Sequence, residues 1–143
     1  PIRGQMVLFR AIPGALRHIV NEGPRYLVPR DDGLILAGST EEEAGFDKST
    51  TEEAIDDLIG FAGRVMPELN RDAVERTWAG LRPGTFDGMP YLGRIPECDN
   101  GFVAAGHFRS GLYLSPATAV MMSQLVLGQV PAIDLQPFRI GRG

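Results

Sequence analysis

The sequence has a single cysteine, Cys98, a single tryptophan, Trp78, and two histidines. One cysteine cannot close an internal disulfide, so a reducing compartment, the cytoplasm, is expected. Glu97 and Asp99 flank that thiol and give it none of the positive surroundings that activate a thiolate, so an inert side chain is expected. Two histidines and one cysteine supply no metal-ligand spacing. Positive charge is also short. A net charge of -4 argues against nucleic acid as a partner, since a phosphate-binding surface needs clustered cations. No apolar run approaches the roughly 20 residues that cross a membrane, and no signal peptide is visible. G-x-S-x-G, the P-loop and G-x-G-x-x-G are all missing. The chain opens on Pro1 rather than methionine and runs straight into strand-like sequence, so a segment of a longer protein is expected.

What remains is the composition of a soluble globular domain: 143 residues, 43% hydrophobic and 22% charged. Gln5–Phe9 reads as a strand, and Arg17–Val20 as a second, short one. Arg25–Pro29 and Leu34–Gly38 flank Asp31-Asp32-Gly33, a hairpin in which Gly33 supplies the positive φ of the turn. Glu41–Glu43 with Asp47 read as a solvated acidic loop. Ser49-Thr50-Thr51-Glu52-Glu53 carries the hydroxyl-then-Glu spacing of a capping box. Ile55, Leu58, Ile59, Ala62, Val65, Met66 and Leu69 follow at helical spacing, and Pro67 ends that helix or bends its last turn. Val74–Leu81 reads as a strand that brings Trp78 into the core, Asp87–Pro90 as a loop, and Phe102–Ala105 as a short buried strand. Ser115-Pro116 has the N-cap hydroxyl and first-turn proline of a second helix, closed by Gly128. Apolar residues on several sides of that helix predict that it is nearly enclosed. The order of elements predicts an α+β fold, a mostly antiparallel sheet with helices on one side.

Two arginines stand where chemistry is plausible. Arg82 follows an apolar strand and precedes Pro83-Gly84, a stiff turn on which a guanidinium is well placed to hold a carboxylate through two parallel hydrogen bonds. A structural ion pair with one of the 18 acids is the plainer alternative. Arg109 lies in Gly106-His107-Phe108-Arg109-Ser110-Gly111, between a strand and a helix, where backbone N–H groups bind negative charge; an ordinary connecting loop reads equally well. His107 is either an acid–base group or a packed histidine. Tyr26 sits in the hairpin, with a hydroxyl that can point into a site.

At these residues the chain resembles a known family. Pro1-Ile2-Arg3-Gly4-Gln5, Tyr26-Leu27-Val28-Pro29-Arg30, Trp78-Ala79-Gly80-Leu81-Arg82-Pro83-Gly84-Thr85, Asp87-Gly88-Met89-Pro90-Tyr91-Leu92-Gly93 and Ala105-Gly106-His107-Phe108-Arg109-Ser110-Gly111 look like the C-terminal half of the FAD-dependent D-amino-acid oxidase family. Within it they look like the glycine oxidases associated with thiamine biosynthesis. The resemblance implies FAD as cofactor and a small amino acid of the glycine or sarcosine class as substrate. It implies Arg82, Arg109 and Tyr26 as substrate contacts. It implies His107, Phe108, Arg109, Ser110, Gly111, Leu112 and Tyr113 as the flavin-contacting stretch, with the following helix, from Ser115 or slightly earlier, aiming its positive end at the flavin. It divides the chain into residues 1–81 of a substrate-binding domain and residues 82–143 of the returning part of a split flavin domain. The reaction implied is hydride transfer from the amino acid to the flavin, leaving an imine, with dioxygen reoxidising the flavin to give hydrogen peroxide. No protein nucleophile takes part, and a homo-oligomer is expected.

Two departures qualify that picture. Glu41 stands at a site-lining position that is apolar in the family, and an acid there would favour an amine-bearing or larger substrate. The Gly-rich segment that grips the ADP part of FAD is missing, so the 143 residues alone are expected to bind FAD weakly or not at all and to be inactive. The alternatives are an amino-acid dehydrogenase using another acceptor, and a stand-alone carboxylate-binding or interaction domain without flavin.

Overall fold

The computed structural model describes residues 1–142. They form two compact units, Pro1–Leu81 and Arg82–Gly143. In the first, five strands form one sheet in the order β2-β3-β4-β1-β5: β1 (Ile2–Arg10), β2 (Val20–Glu22), β3 (Arg25–Pro29), β4 (Leu34–Gly38) and β5 (Val74–Arg82). β2 with β3, β3 with β4, and β4 with β1 pair antiparallel. The hairpin forms with the predicted bounds, and Gly33 takes φ +82° in its turn. The second strand is displaced from its predicted position. Residues 17–19 stay outside it, because β2 is bounded by its pairing to β3, which begins at Val20 opposite Leu27.

Alternation along the strands separates two faces. Val7 and Phe9 of β1, Leu27 of β3, and Ile35 and Ala37 of β4 are buried under α1 (Glu52–Val65), whose Ile55, Leu58, Phe61 and Ala62 return at helical spacing. Met6, Leu8, Tyr26, Leu36 and Gly38 alternate with these and belong to the opposite face. The start of α1 differs from the expectation. Thr51 is the N-cap, and its hydroxyl accepts from Ala54 N–H at 3.4 Å. The residue three beyond the cap is therefore alanine rather than glutamate, and no reciprocal box forms. The helix ends at Val65, before Pro67 as predicted. Trp78 is not core: β5 has no buried residue, and Arg76 lies over the indole at 4.6 Å.

The acidic loop is not simply solvated. Arg3, 7% exposed, donates through Nε to Glu42 at 3.1 Å and through Nη1 to Asp47 at 2.7 Å. Fully buried Gln5 donates to Glu42 at 2.9 Å and accepts from Thr51 N–H at 2.8 Å. A buried guanidinium demands paired acceptors, and that demand draws the loop onto β1. Partial burial opposes ionisation of Glu42, but hydrogen bonds from Thr40, Arg3 and Gln5 outweigh it and hold the carboxyl below its usual range.

The second unit pairs β6 (Tyr91–Arg94) antiparallel with β7 (Phe102–Ala105) and packs α2 (Gly111–Val126) against both. β6 was hidden in the sequence behind the turn residues Asp87–Pro90. α2 starts at Gly111 rather than Ser115, with Ser110 as its N-cap residue, so Pro116 lies inside the helix. An internal proline leaves one carbonyl without its N–H donor. Here the Ser115 hydroxyl donates to Leu112 O at 2.9 Å and fills that gap. Ser115→Ala is expected to lower stability by about 0.5–1 kcal/mol, with Ser115→Thr near the parent, read from denaturant unfolding. Nor is α2 enclosed: Met121 is its only buried residue, while Leu112 and Tyr113 are each 86% exposed.

Arg142 ties the end of this unit to its beginning. Nε and Nη2 donate to the two carboxylate oxygens of Asp87 at 2.7 and 2.9 Å, Nη1 donates to Pro90 O at 3.1 Å, and the guanidinium lies 4.0 Å from the Tyr91 ring. Those hydrogen bonds, assisted by Met89 N–H, hold the Asp87 carboxyl well below its ordinary value of 3.8. A carboxyl depressed on folding stabilises the fold fully above its unfolded pKa, and that contribution is lost as pH falls through the folded value. Urea unfolding is therefore expected to show a stability that declines below about pH 4, with Arg142→Gln less stable at neutral pH and lacking Asp87's share of that decline.

Candidate functional site

The two arginines belong to neighbouring turns of the second unit. Arg82 closes β5 and is half-buried; Pro83-Gly84 turn the chain, with Gly84 N–H donating to Arg82 O at 3.0 Å. Thr85 extends the turn by donating its hydroxyl to Met89 O at 2.9 Å. The second turn follows β7. Gly106, with φ +79°, packs so closely that a Cβ placed there would lie 2.4 Å from Thr85 Cγ2 and 3.6 Å from Pro90 Cα. Phe108 takes φ +49°, a left-handed backbone in which a bulky L-residue is strained. Phe108 N–H donates to Pro83 O at 3.1 Å, so each residue of that bond is the immediate neighbour of one of the two arginines. Arg109 itself is exposed.

His107 and Ser110 secure the second turn. Ser110 N–H donates to His107 O at 2.9 Å, and His107 Nε2 lies 3.0 Å from Thr118 Oγ1, about two turns into α2. The first N–H groups of α2 have no partner within the helix, no side chain caps them, and no acid stands in its first turn. That end carries partial positive charge and repels no anion. Beside it lies an open depression of about 350 Å³, lined by Ala104, His107, Gly111, Ser115, Thr118 and Met122.

Tyr26 belongs to the first unit. Its hydroxyl approaches Met6 Sδ at 3.7 Å across Gly38, where a Cβ would meet both side chains at 2.7 Å. Glu41 follows β4 and is exposed, and its neighbour Glu42 accepts from Arg3 and Gln5. Sequence reasoning missed Thr118, Thr85 and Arg142. A polar residue at helical spacing from others carries no mark of the loop it anchors, and Arg142 follows Gly141 in a segment without periodicity.

A family profile described as FAD dependent oxidoreductase, DAO, matches residues 1–125. The chain belongs to this family. It is 42% identical over 138 residues to the glycine oxidase of Pseudomonas putida, covering 96% of this chain and 38% of that protein. It is 40% identical over 142 residues to hydrogen cyanide synthase subunit HcnC of Pseudomonas aeruginosa, covering 99% of this chain and 34% of that protein. Among solved structures, glycine oxidase from Geobacillus kaustophilus superposes with a TM-score of 0.88 at 36% identity, over 100% of this chain and 39% of that one. The chain thus spans little more than a third of the length of these relatives. The mixed fold with its mostly antiparallel sheet is the family fold.

FAD is the cofactor of this family, and the residues present fit one end of it. The uncapped start of α2, the exposed Leu112 and Tyr113 and the depression behind His107 form a surface on which a flat, electron-rich ring edge can lie. The pyrophosphate finds no Gly-rich strand–helix turn in this sequence.

Proposed function

We propose that this chain is the substrate-holding portion of an FAD-dependent amino-acid oxidase acting on glycine or a similarly small amino acid such as sarcosine. Residues 1–81 form the substrate-binding part, and residues 82–143 the returning part of the flavin-binding domain. The observation that carries this reading is the 3.1 Å hydrogen bond from Phe108 N–H to Pro83 O, which ties the turn bearing Arg82 to the turn bearing Arg109.

Arg82 holds the substrate carboxylate on its stiff turn, and Arg109 is a second contact. A guanidinium fork fixes orientation as well as position, which a lone ammonium would not. Holding the carboxylate narrows the directions in which a Cα–H bond can face. Tyr26 of β3 is a further candidate substrate contact, and the absence of a Gly38 side chain leaves room for its hydroxyl. Residues 107–113 would hold the edge of the flavin ring, and the start of α2 would stabilise negative charge there. FAD, when bound, supplies the acceptor for a hydride from Cα, and dioxygen then takes both electrons as hydrogen peroxide. The cytoplasm is the compartment that fits this chemistry and the single exposed cysteine. No helix among the described residues is long and apolar enough to cross a membrane.

A second reading, a dehydrogenase that passes electrons to another acceptor, gains support from a solved L-proline dehydrogenase from P.horikoshii, which superposes at a TM-score of 0.82 and 26% identity over 97% of this chain and 39% of that one. Anaerobic mixing of the full-length protein with glycine or sarcosine tests both. Bleaching of the oxidised flavin, followed by its return with peroxide when oxygen is admitted, supports the oxidase. Bleaching that oxygen fails to reverse supports the dehydrogenase, and an unchanged spectrum rejects both.

A further inference from the structure

We propose that the His107–Thr118 pair is a positioning device that pins the Phe108–Arg109 turn to α2 and thereby aims Arg109 at the substrate carboxylate. The turn is held in a conformation it would not choose. Phe108 sits at φ +49°, where a side chain of its size is strained. Such strain persists only where the surroundings over-determine it. Three contacts do so: Phe108 N–H to Pro83 O on one side, Ser110 N–H to His107 O within the turn, and His107 Nε2 to Thr118 Oγ1 on the other. Two of them are backbone bonds that any sequence could make. The third depends on two particular side chains, eleven residues apart, and is the one that fastens the turn to a helix.

The consequence for function follows from where Arg109 lies. It is the next residue after the strained one and it is exposed, so its Cα moves with the turn. An error of about 1 Å in a positioning group can reduce rate about 100-fold. Thr118 itself lies on α2 beyond the turn with its hydroxyl 3.0 Å from His107 Nε2, so it acts through His107 rather than on substrate. This inference rests on the oxidase reading for its carboxylate, and on geometry alone for the anchor.

Two readouts separate the anchor from the reading. In the full-length, FAD-loaded protein, tryptic cleavage of the Arg109–Ser110 bond, followed by mass spectrometry, reports how firmly the turn is held. Displacement of the flavin spectrum by acetate reports carboxylate affinity. Thr118→Val keeps the side-chain shape and removes the hydroxyl. It is expected to raise both the cleavage rate at Arg109–Ser110 and the acetate Kd about fivefold, the worth of one hydrogen bond. Thr118→Ser restores the oxygen and is expected within about twofold of the parent on both. His107→Ala combined with Thr118→Val is expected to be no worse than His107→Ala alone, because the two side chains act as one unit. Parental cleavage in Thr118→Val overturns the proposal. So does faster cleavage with an unchanged acetate Kd, or faster cleavage at every arginine together with a lowered Tm, which marks a merely structural role. Should acetate leave the parent's flavin unperturbed, the carboxylate reading fails, and the cleavage ratio still decides the anchor.

Discussion

Arg82→Ala in the full-length protein is expected to raise the KM for glycine about 10- to 150-fold, the equivalent of the about 1.5–3 kcal/mol carried by hydrogen bonds to a charged group. Glycine and its close relatives offer little beyond a carboxylate and an amine for a site to hold, so much of their binding affinity passes through whichever group holds the carboxylate. Arg82 is the candidate because its turn is stiffened by Pro83, fixed by Thr85 to Met89 O, and bonded through Pro83 O to the turn of Arg109. Arg82→Lys keeps the charge but loses the fork, and an intermediate KM is expected. Melting temperatures of parent and variants serve as the control. An unchanged KM in Arg82→Ala with an intact fold would remove the carboxylate role from this residue.

Gly106→Ala is expected to destabilise the second unit by about 2–5 kcal/mol. About 1–2 kcal/mol comes from forcing an L-residue into φ +79°, and about 1–3 from pressing its Cβ to within 2.4 Å of Thr85 Cγ2. The two parts are separable. Thr85→Ser removes the offending methyl while keeping the hydroxyl that bonds Met89 O, so Gly106→Ala with Thr85→Ser should recover the packing part and retain the backbone part. Denaturant unfolding of the four proteins in this cycle measures both. Additive effects in the cycle would show that the glycine is required for its φ alone.

The hairpin, α1 and the position of the strand at Phe102–Ala105 were legible because each announces itself locally: alternation, a glycine turn, or a stripe at helical spacing; the burial expected of that strand does not hold, since Ala104 and Ala105 are exposed. The start of α2 was not. Ser115-Pro116 is a strong local start signal, yet the helix begins at Gly111, because the Ser115 hydroxyl satisfies the carbonyl that Pro116 abandons. The acidic loop misled for a similar reason. Its charge pattern is that of a solvated loop, and only the burial of Arg3 on a distant strand shows why Glu42 and Asp47 are acidic. As for the site, Arg82 and Arg109 stand out by their turns. The bond that joins those turns, the strain at Phe108 and the Thr118 anchor are tertiary facts with no signature in a single sequence.

The most direct measurement is a crystal structure of the full-length protein with FAD and acetate bound. The prediction is one acetate carboxylate held at about 3 Å by the guanidinium of Arg82, with Arg109 on the same anion and the start of α2 against the edge of the flavin ring. Acetate bound elsewhere, with Arg82 and Arg109 facing different surfaces, would contradict the account.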